Sequence, residues 1–342
     1  MAFYNEDPNY VAINIESILN QTYKDFDYLI ISDNPANETL NSLAKEYASR
    51  DSRIIFHQNE TNMGIPGAKN FGLRMCKTEY IAISDADDFS HPERLEKQIA
   101  YLDLHPEVVA IGSYARIMDK TGRIIGEMHT SDDDKQLKTM LPFDQPIYHP
   151  VMTYRRIVNG KPVMYDENMR ISLDYELCVK LSDYKFYNLP EYLLDYRLSP
   201  NQTTQIYRDK YIYYDSPVRK KALNKMYYGV SKEEEDAFIS LYYGVKMNRD
   251  EQKIAHRFIK NLYYNNINNE KVYIDKAVDF LVQTYVSSIK RQTSLIYAFK
   301  EFLQLKKEID HNSYSGLVFI IKMAFHRIKH IIRVFSIRMN FS

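Results

Sequence analysis

The chain has 342 residues, 45% of them apolar and 26% charged, with a formal net charge of zero and only two cysteines, Cys76 and Cys178. That length suits two domains, that composition excludes wholesale disorder, and two thiols cannot build a disulfide framework or a multi-cysteine metal site. No apolar run is long enough to span a bilayer, and Met1-Ala-Phe-Tyr-Asn-Glu-Asp7 is not a secretory leader, so a cytoplasmic location in a reducing compartment is expected. The neutrality hides a polarity. Residues 205–342 hold 24 Lys and Arg against 14 Asp and Glu, and residues 1–204 hold 21 against 31. Such a split implies an acidic, cation-binding front and a basic back that meets something anionic, or simply two halves that attract each other.

In chain order, Asp7-Pro8 caps and opens a helix on which Val11, Ile15, Ile18 and Leu19 share a face. Tyr28-Leu-Ile-Ile-Ser32 reads as a buried strand, and Leu40, Leu43, Ala44 and Tyr47 mark the next helix. Arg53-Ile-Ile-Phe-His57 is a second such strand. Gly64, Pro66 and Gly67 predict a loop before a short helix that carries Ala68, Phe71, Gly72 and Met75. Tyr80-Ile-Ala-Ile-Ser84 is again a strand and runs into Asp85-Ala86-Asp87-Asp88; His91-Pro92 then starts a helix with Leu95, Ile99 and Leu102. This alternation predicts an α/β fold, a doubly wound and mostly parallel open sheet. Ligands of such sheets bind beyond the carboxyl ends of the strands, where Asp33, Gly64–Asn70 and Asp85–Asp88 fall. Lys120-Thr-Gly-Arg123 signals a hairpin, and from about Gln205 onward the periodicity is helical and rich in tyrosine.

An Asp-x-Asp alone is weak evidence, because most such triplets are solvated loops or helix caps. Three carboxylates this close repel one another unless a cation sits among them, and hard oxygen ligands suit Mg²⁺ or Mn²⁺ together with substrate phosphates. The company of the run is more specific. Tyr4-Asn-Glu6, Ser17-Ile-Leu-Asn-Gln-Thr-Tyr23, Asp33, Asn62-Met-Gly64, Gly67-Ala-Lys-Asn70 and Asp85-Ala-Asp-Asp88 follow in one order and spacing. They are joined by Tyr148-His-Pro-Val-Met152, Leu173-Asp-Tyr-Glu-Leu177 and Leu194-Asp-Tyr-Arg-Leu198. Over residues 1–204 the sequence resembles the family-2 glycosyltransferases of the GT-A fold.

The resemblance implies a GT-A domain over 1–204, followed by a helical, basic region over 205–342. It implies a metal-dependent, inverting transfer of sugar from a nucleoside diphosphate, most often UDP, to an acceptor hydroxyl in cell-surface polysaccharide or glycolipid synthesis. Tyr4 would stack on the base and Asp33 would hydrogen-bond it; Lys69 stands at the usual Arg position beside the nucleotide. Asp85 would reach the ribose or donor sugar, Asp87 would ligate Mn²⁺ or Mg²⁺ on the diphosphate, and Asp88 would support them. Asp174 matches the catalytic base, with Leu173 where the family usually has Glu. The bland alternatives are packing for Tyr4, a helix cap for Asp33 and a first-turn helix residue favoured by the macrodipole for Asp174. His149 reads as structural, satisfying a loop carbonyl, and Ser199 stands where many relatives carry a metal-contacting His. Only Met1-Ala-Phe3 precedes the Tyr-Asn-Glu loop, so the first strand looks truncated and an upstream start is expected.

Leu317, Ile321, Ala324, Ile328, Ile331 and Phe335 lie on one helical face, Lys322, His326, Lys329 and Arg333 on another, and no acid follows Asp310. That pattern fits a helix on an anionic membrane surface, bringing a lipid-linked glycan acceptor near, or an ordinary core-facing helix. No basic–aromatic pattern points to nucleic acid. Two rival functions are an oxidoreductase on a Rossmann sheet, which lacks a Gly-x-Gly-x-x-Gly turn, and a non-catalytic nucleotide-sugar-binding or scaffold protein on the same fold.

Overall fold

The computed structural model describes residues 1–198 and 210–266, with residues 281, 282, 285, 303–305 and 307. The amphipathic helix expected within 315–335 lies outside the described residues, as does Ser199. The chain divides into two compact units, one of Met1–Lys138 with Asp144–Val218 and one of Thr139–Phe143 with Arg219–Ser342.

The first unit begins with β1 (Ala2–Phe3), α1 (Pro8–Leu19), β2 (Tyr28–Ser32), α2 (Glu38–Arg50), β3 (Ile54–Gln58) and α3 (Gly64–Met75). β1, β2 and β3 form a parallel sheet in that order. The two-residue β1 is a working strand. Its flanking carbonyls, on Met1 and Phe3, accept the Ile31 and Asp33 N–H groups at 3.0 and 2.9 Å. Asp7 caps α1 by accepting the Asn9 N–H, and Pro8 takes the first helical position, where its missing donor costs nothing. Asn37, not Asp33, caps α2 by accepting the Leu40 N–H. Successive residues of β2 point to opposite faces, which places helices on both. Ile30 packs with Val11, Ile15 and Leu40, while on the other face the Ile31 side chain lies so close to Gly72 that a β-carbon there would approach it to 3.3 Å.

The loop expected at Gly64–Gly67 is instead the first turn of α3. Gly64 takes φ +73° to enter it, and Pro66 is tolerated because the first turn's N–H groups have no intrahelical partner.

The unit continues with β4 (Tyr80–Ala82), β5 (Phe89–Ser90), α4 (Arg94–Leu104), β6 (Val108–Met118), β7 (Ile124–Met128), α5 (Asp134–Met140), β8 (Thr153–Arg155), β9 (Ile157–Val158), β10 (Lys161–Pro162), α6 (Leu173–Leu181) and β11 (Lys185–Arg197). A second sheet runs β4-β8-β6-β11-β5, with β7 added to β6. Within it β6 and β11 are parallel and the other pairs antiparallel, so the sheet is mixed. β6 and β7 are joined by the hairpin expected at Lys120–Arg123, with Gly122 at φ +86°.

A long helix, α7 (Tyr211–Met226), starts in the first unit and ends in the second, followed by α8 (Lys232–Tyr243) and α9 (Arg249–Asn266). α8 carries a complete capping box between Ser231 and Glu234 and stops at Gly244 in the left-handed region. The second unit's core gathers Leu223, Phe238, Leu241, Phe258, Ile259 and Leu262, all essentially removed from solvent. Among the described residues no helix is long and apolar enough to cross a membrane.

Candidate active site

The acid run Asp85–Asp88 lies between β4 and β5, and two buried polar residues build its shape. Asn14 sits on the apolar stripe of α1 and is 1% exposed. Its amide donates to Ser84 Oγ at 3.0 Å, to the Asp85 carbonyl at 2.8 Å and to the Asp88 carbonyl at 2.9 Å, while its oxygen accepts the Tyr28 hydroxyl at 2.5 Å. Arg94, fully buried on α4, donates to the Ile83 carbonyl, Ser90 Oγ and Gln98 Oε1, which places its guanidinium within electrostatic reach of Asp88 and Asp85. Burial lowers its pKa to about 10. Asn14→Ala would leave the buried Asp88 carbonyl without its donor, the Asp85 carbonyl with only the Asp88 N–H at 3.3 Å, and the Tyr28 hydroxyl with only longer contacts to Ser84 Oγ and Met1 Sδ. Each orphaned group costs about 1–3 kcal/mol, so a loss of about 3 kcal/mol is expected in urea unfolding, read as a lower midpoint at unchanged slope.

The three carboxylates have three different environments. Burial opposes ionisation of Asp85, but Lys69 Nζ at 3.0 Å and His149 Nδ1 at 3.4 Å outweigh it and hold the carboxyl far below the usual range. Asp88 turns inward. Its Oδ1 accepts the Arg197 backbone N–H at 2.8 Å, its Oδ2 is buried without a hydrogen-bond partner, and burial with the charges of Asp87 and Asp85 raises its pKa well above normal. Asp87 is half-buried, and burial, Asp85 and Glu6 push it up to about 6. The Arg197 guanidinium donates to the Asp87 carbonyl at 2.9 Å and lies 4.2 Å from the Tyr10 ring centroid, tying the end of β11 to the run and to α1.

Among the described residues no three His, Cys, Asp or Glu side chains converge as a ready metal cage. The donor set still fits one hard divalent cation. Ionised Asp87 is disfavoured by burial and by the neighbouring Asp85 and Glu6, and Mg²⁺-type ions are commonly held by one or two carboxylates plus substrate phosphate oxygens.

The Tyr4-Asn5-Glu6 loop stands at the same site, since Glu6 is within electrostatic reach of both Asp85 and Asp87. Glu6 Oε2 accepts the Tyr4 N–H at 2.6 Å, and the Tyr4 ring is 44% exposed, which excludes simple core packing. Asp33 is buried, and its Oδ1 accepts from Asn59 Nδ2 and from the Met63 N–H, both at 2.8 Å. It therefore ties the ends of β2 and β3 to the entrance of α3.

Asp174 occupies the first turn of α6. Burial, together with the charges of Asp85 and Asp174, raises the pKa of both Tyr165 and Tyr196, so each phenol is within electrostatic reach of both carboxylates. Tyr165 OH is 2.9 Å from His149 Nε2, completing a chain of contacts that runs inward from partly buried Lys69 and Asp85 through His149 to Tyr165. His149 therefore touches a site carboxylate where a loop carbonyl was expected. Asn70 fixes Tyr165 in turn, exchanging 3.0 and 2.9 Å hydrogen bonds with its backbone C=O and N–H. A lone polar residue on an apolar stripe was the available signal for Asn14; nothing local in sequence marks Tyr165.

The α/β architecture with this acid run at a strand end is consistent with a glycosyltransferase of the GT-A type, and similarity to known proteins establishes the family. Residues 1–159 match the family model for Glycosyl transferase family 2. An uncharacterized glycosyltransferase of Methanocaldococcus jannaschii is 36% identical over 230 residues, 66% of this chain and 76% of its own. The O-antigen biosynthesis glycosyltransferase WbnJ of Escherichia coli is 33% identical over 209 residues, 60% of this chain and 80% of its own. The chain belongs to glycosyltransferase family 2. Its fold is similar to S. aureus TarS 1–349 in complex with UDP-GlcNAc, with a TM-score of 0.54 and 13% identity over 90% of this chain and 89% of that one. It spans 54% of a longer S. aureus TarS chain.

Proposed function

We propose that this glycosyltransferase takes a UDP-linked sugar together with Mn²⁺ or Mg²⁺ and transfers the sugar, by one inverting displacement, to a hydroxyl of a glycan or lipid-linked glycan acceptor in cell-surface polysaccharide synthesis. The observation that carries the reading is the acid run at the end of β4, where Asp85 and Asp87 stand half-buried within electrostatic reach of Glu6 in the Tyr4-Asn5-Glu6 loop. Lys69 is already paired with Asp85, so a diphosphate that reaches Asp87 is best accommodated when it arrives with its own cation.

In this reading the exposed Tyr4 ring stacks on the base, with Asp33 fixing the adjoining loop and offering its carboxylate to the base edge. Lys69 holds Asp85 toward the ribose or donor sugar; an ammonium does this as a point charge, without the bidentate fork of Arg. Asp87 binds the cation, and Asp88, hydrogen-bonded to Arg197 N–H, keeps the turn in place. The cation, when bound, offsets the charge that builds on the leaving diphosphate. Asp174 takes the proton from the acceptor hydroxyl as it attacks the anomeric carbon from the face opposite the diphosphate.

The test is a screen of the purified chain against UDP-, GDP- and dTDP-sugars, with and without Mn²⁺, read as release of nucleoside diphosphate. Release from UDP-sugars only with metal is expected. Release without metal at the same rate, or from no donor at all, overturns the reading.

The basic stripe Lys322, Lys329 and Arg333 is proposed to hold the chain on anionic membrane. Each such charge contributes about 1 kcal/mol near the surface, so flotation with anionic vesicles should occur at low salt and be lost when all three become Glu. A wild-type chain that never floats assigns the stripe to ordinary solvated surface.

A further inference from the structure

We infer that Asp215, on α7, is a positioning residue that holds Asp174 in its working orientation through Ser172. The inference rests on reading Asp174 as the base.

Ser172 is the residue immediately before α6, and its backbone is left-handed, φ 58° and ψ 22°. Among the described residues only one other non-glycine residue has positive φ, Asn159, which sits beside Gly160 at the tip of the β9–β10 hairpin, where the turn demands it. No hairpin demands it of Ser172. A serine before a helix ordinarily adopts extended φ and ψ and turns its hydroxyl onto the helix's own second or third N–H. Here that cap is not made. The hydroxyl is drawn away instead, donating to Asp215 Oδ1 at 2.8 Å, with both residues buried, Ser172 at 6% and Asp215 at 0% exposure.

A left-handed serine is strained, so the hydrogen bond to Asp215 holds Ser172 in a backbone conformation that ordinary capping would not give it. What it fixes is the direction in which the chain enters α6. The Ser172 carbonyl accepts the Glu176 N–H at 2.8 Å, so the same residue that Asp215 holds also anchors the first helical hydrogen bond, two residues from Asp174. Without Asp215, Ser172 is free to swing into the usual extended cap, which would rotate the first turn and carry the Asp174 carboxylate with it. Asp215 itself does not touch substrate.

The experiment compares Asp215→Ala, Asp215→Asn and Ser172→Gly in the full chain. Asn keeps an acceptor at Oδ1, and Gly keeps the left-handed backbone accessible while removing the hydroxyl. Displacement of a reacting group by about 1 Å can cost about 100-fold in rate, so Asp215→Ala and Ser172→Gly should lose about 10- to 100-fold in kcat, with the donor KM and the UDP Kd nearly unchanged. Asp215→Asn should recover most of that loss. In an Asp174→Asn background, Asp215→Ala should cost nothing further, because the group it positions is already gone. If Asp174→Asn is inactive while folded Asp215→Ala and Ser172→Gly both keep wild-type kcat, the inference fails and the base assignment stands. Equal losses from Asp215→Ala with and without Asp174 also overturn it. If Asp174→Asn turns over like wild type, the base assignment itself fails. Should Asp215→Ala not fold, Ser172→Gly alone decides between these outcomes.

Discussion

Asp174→Asn is expected to remove about 10²- to 10⁴-fold of turnover, the usual worth of a general base, while leaving UDP affinity nearly intact. The asymmetry follows from geometry. In the proposed reading the group acts on the acceptor hydroxyl, whereas the diphosphate and its cation are bound by the acid run after β4. The amide is close in size to the carboxylate and preserves the first turn of α6, so the fold has no reason to respond. Asp174 gains some stability from the helix macrodipole by its first-turn position, about 0.3–1 kcal/mol, and its replacement by Asn should lower the unfolding free energy by no more than that. The two effects can therefore be separated. A steady-state assay with UDP-sugar and acceptor gives kcat and the donor KM, and calorimetry with UDP and Mn²⁺ gives affinity. A large fall in kcat at constant affinity assigns Asp174 to the chemical step. Wild-type turnover in the variant makes it a helix-terminal residue and leaves the base elsewhere.

The parts of this molecule readable from sequence are those that local chemistry decides. Tyr28–Ser32 is a strand in the structure over the residues that the β-branched and aromatic run marks. Asp7-Pro8 caps and opens α1 because capping and fixed φ are properties of adjacent residues. The loop expected at Gly64–Gly67 became helix for an equally local reason, since a proline in the first turn sacrifices no hydrogen bond. The division into a three-stranded parallel sheet and a mixed sheet is a different matter. It depends on β6 pairing with β8, β11 and β7, strands drawn from a stretch with no clean periodicity, and on a β1 too short to carry the ladder onward.

The site divides along the same line. Asp85, Asp87 and Asp88 were visible because their mutual repulsion makes the run conspicuous, but sequence could not say that their environments differ. That difference comes from partners far away in the chain. Lys69 and His149 neutralise Asp85, and the Arg197 backbone takes Asp88. The hydrogen bond between Ser172 and Asp215 joins residues 43 apart, across the stretch 199–209 that lies outside the described residues. Asn14 was legible in principle, as an amide on the Val11–Ile15–Ile18 stripe that only a buried partner could justify.

Asp87→Ala is expected to abolish the coupling between cation and nucleotide. Of the three carboxylates Asp87 is the half-buried one with no side-chain ion pair among the described residues, its pKa raised to about 6 by burial, Asp85 and Glu6, whereas Asp85 meets Lys69 and His149 and Asp88 turns inward to a backbone donor. A diphosphate approaching that cluster without a cation meets like charge, so nucleotide alone should bind weakly. Altering groups that merely support metal ligands costs about 10- to 100-fold in metal affinity, and loss of a direct ligand should cost at least as much. By linkage, whatever factor Mn²⁺ adds to UDP affinity, UDP must add to Mn²⁺ affinity, so both titrations are required to agree. Wild type should show tight UDP binding only with Mn²⁺, and tight Mn²⁺ binding only with UDP. In Asp87→Ala both enhancements should vanish together, leaving the weak metal-free affinity. Asp88→Asn is the contrasting variant. It keeps an acceptor for the Arg197 N–H and relieves repulsion, so it should retain the coupling. If Asp87→Ala keeps the full Mn²⁺ enhancement, Asp87 is not the ligand. If wild type binds UDP equally well without metal, the acid run serves the turn between β4 and β5 and not a cation.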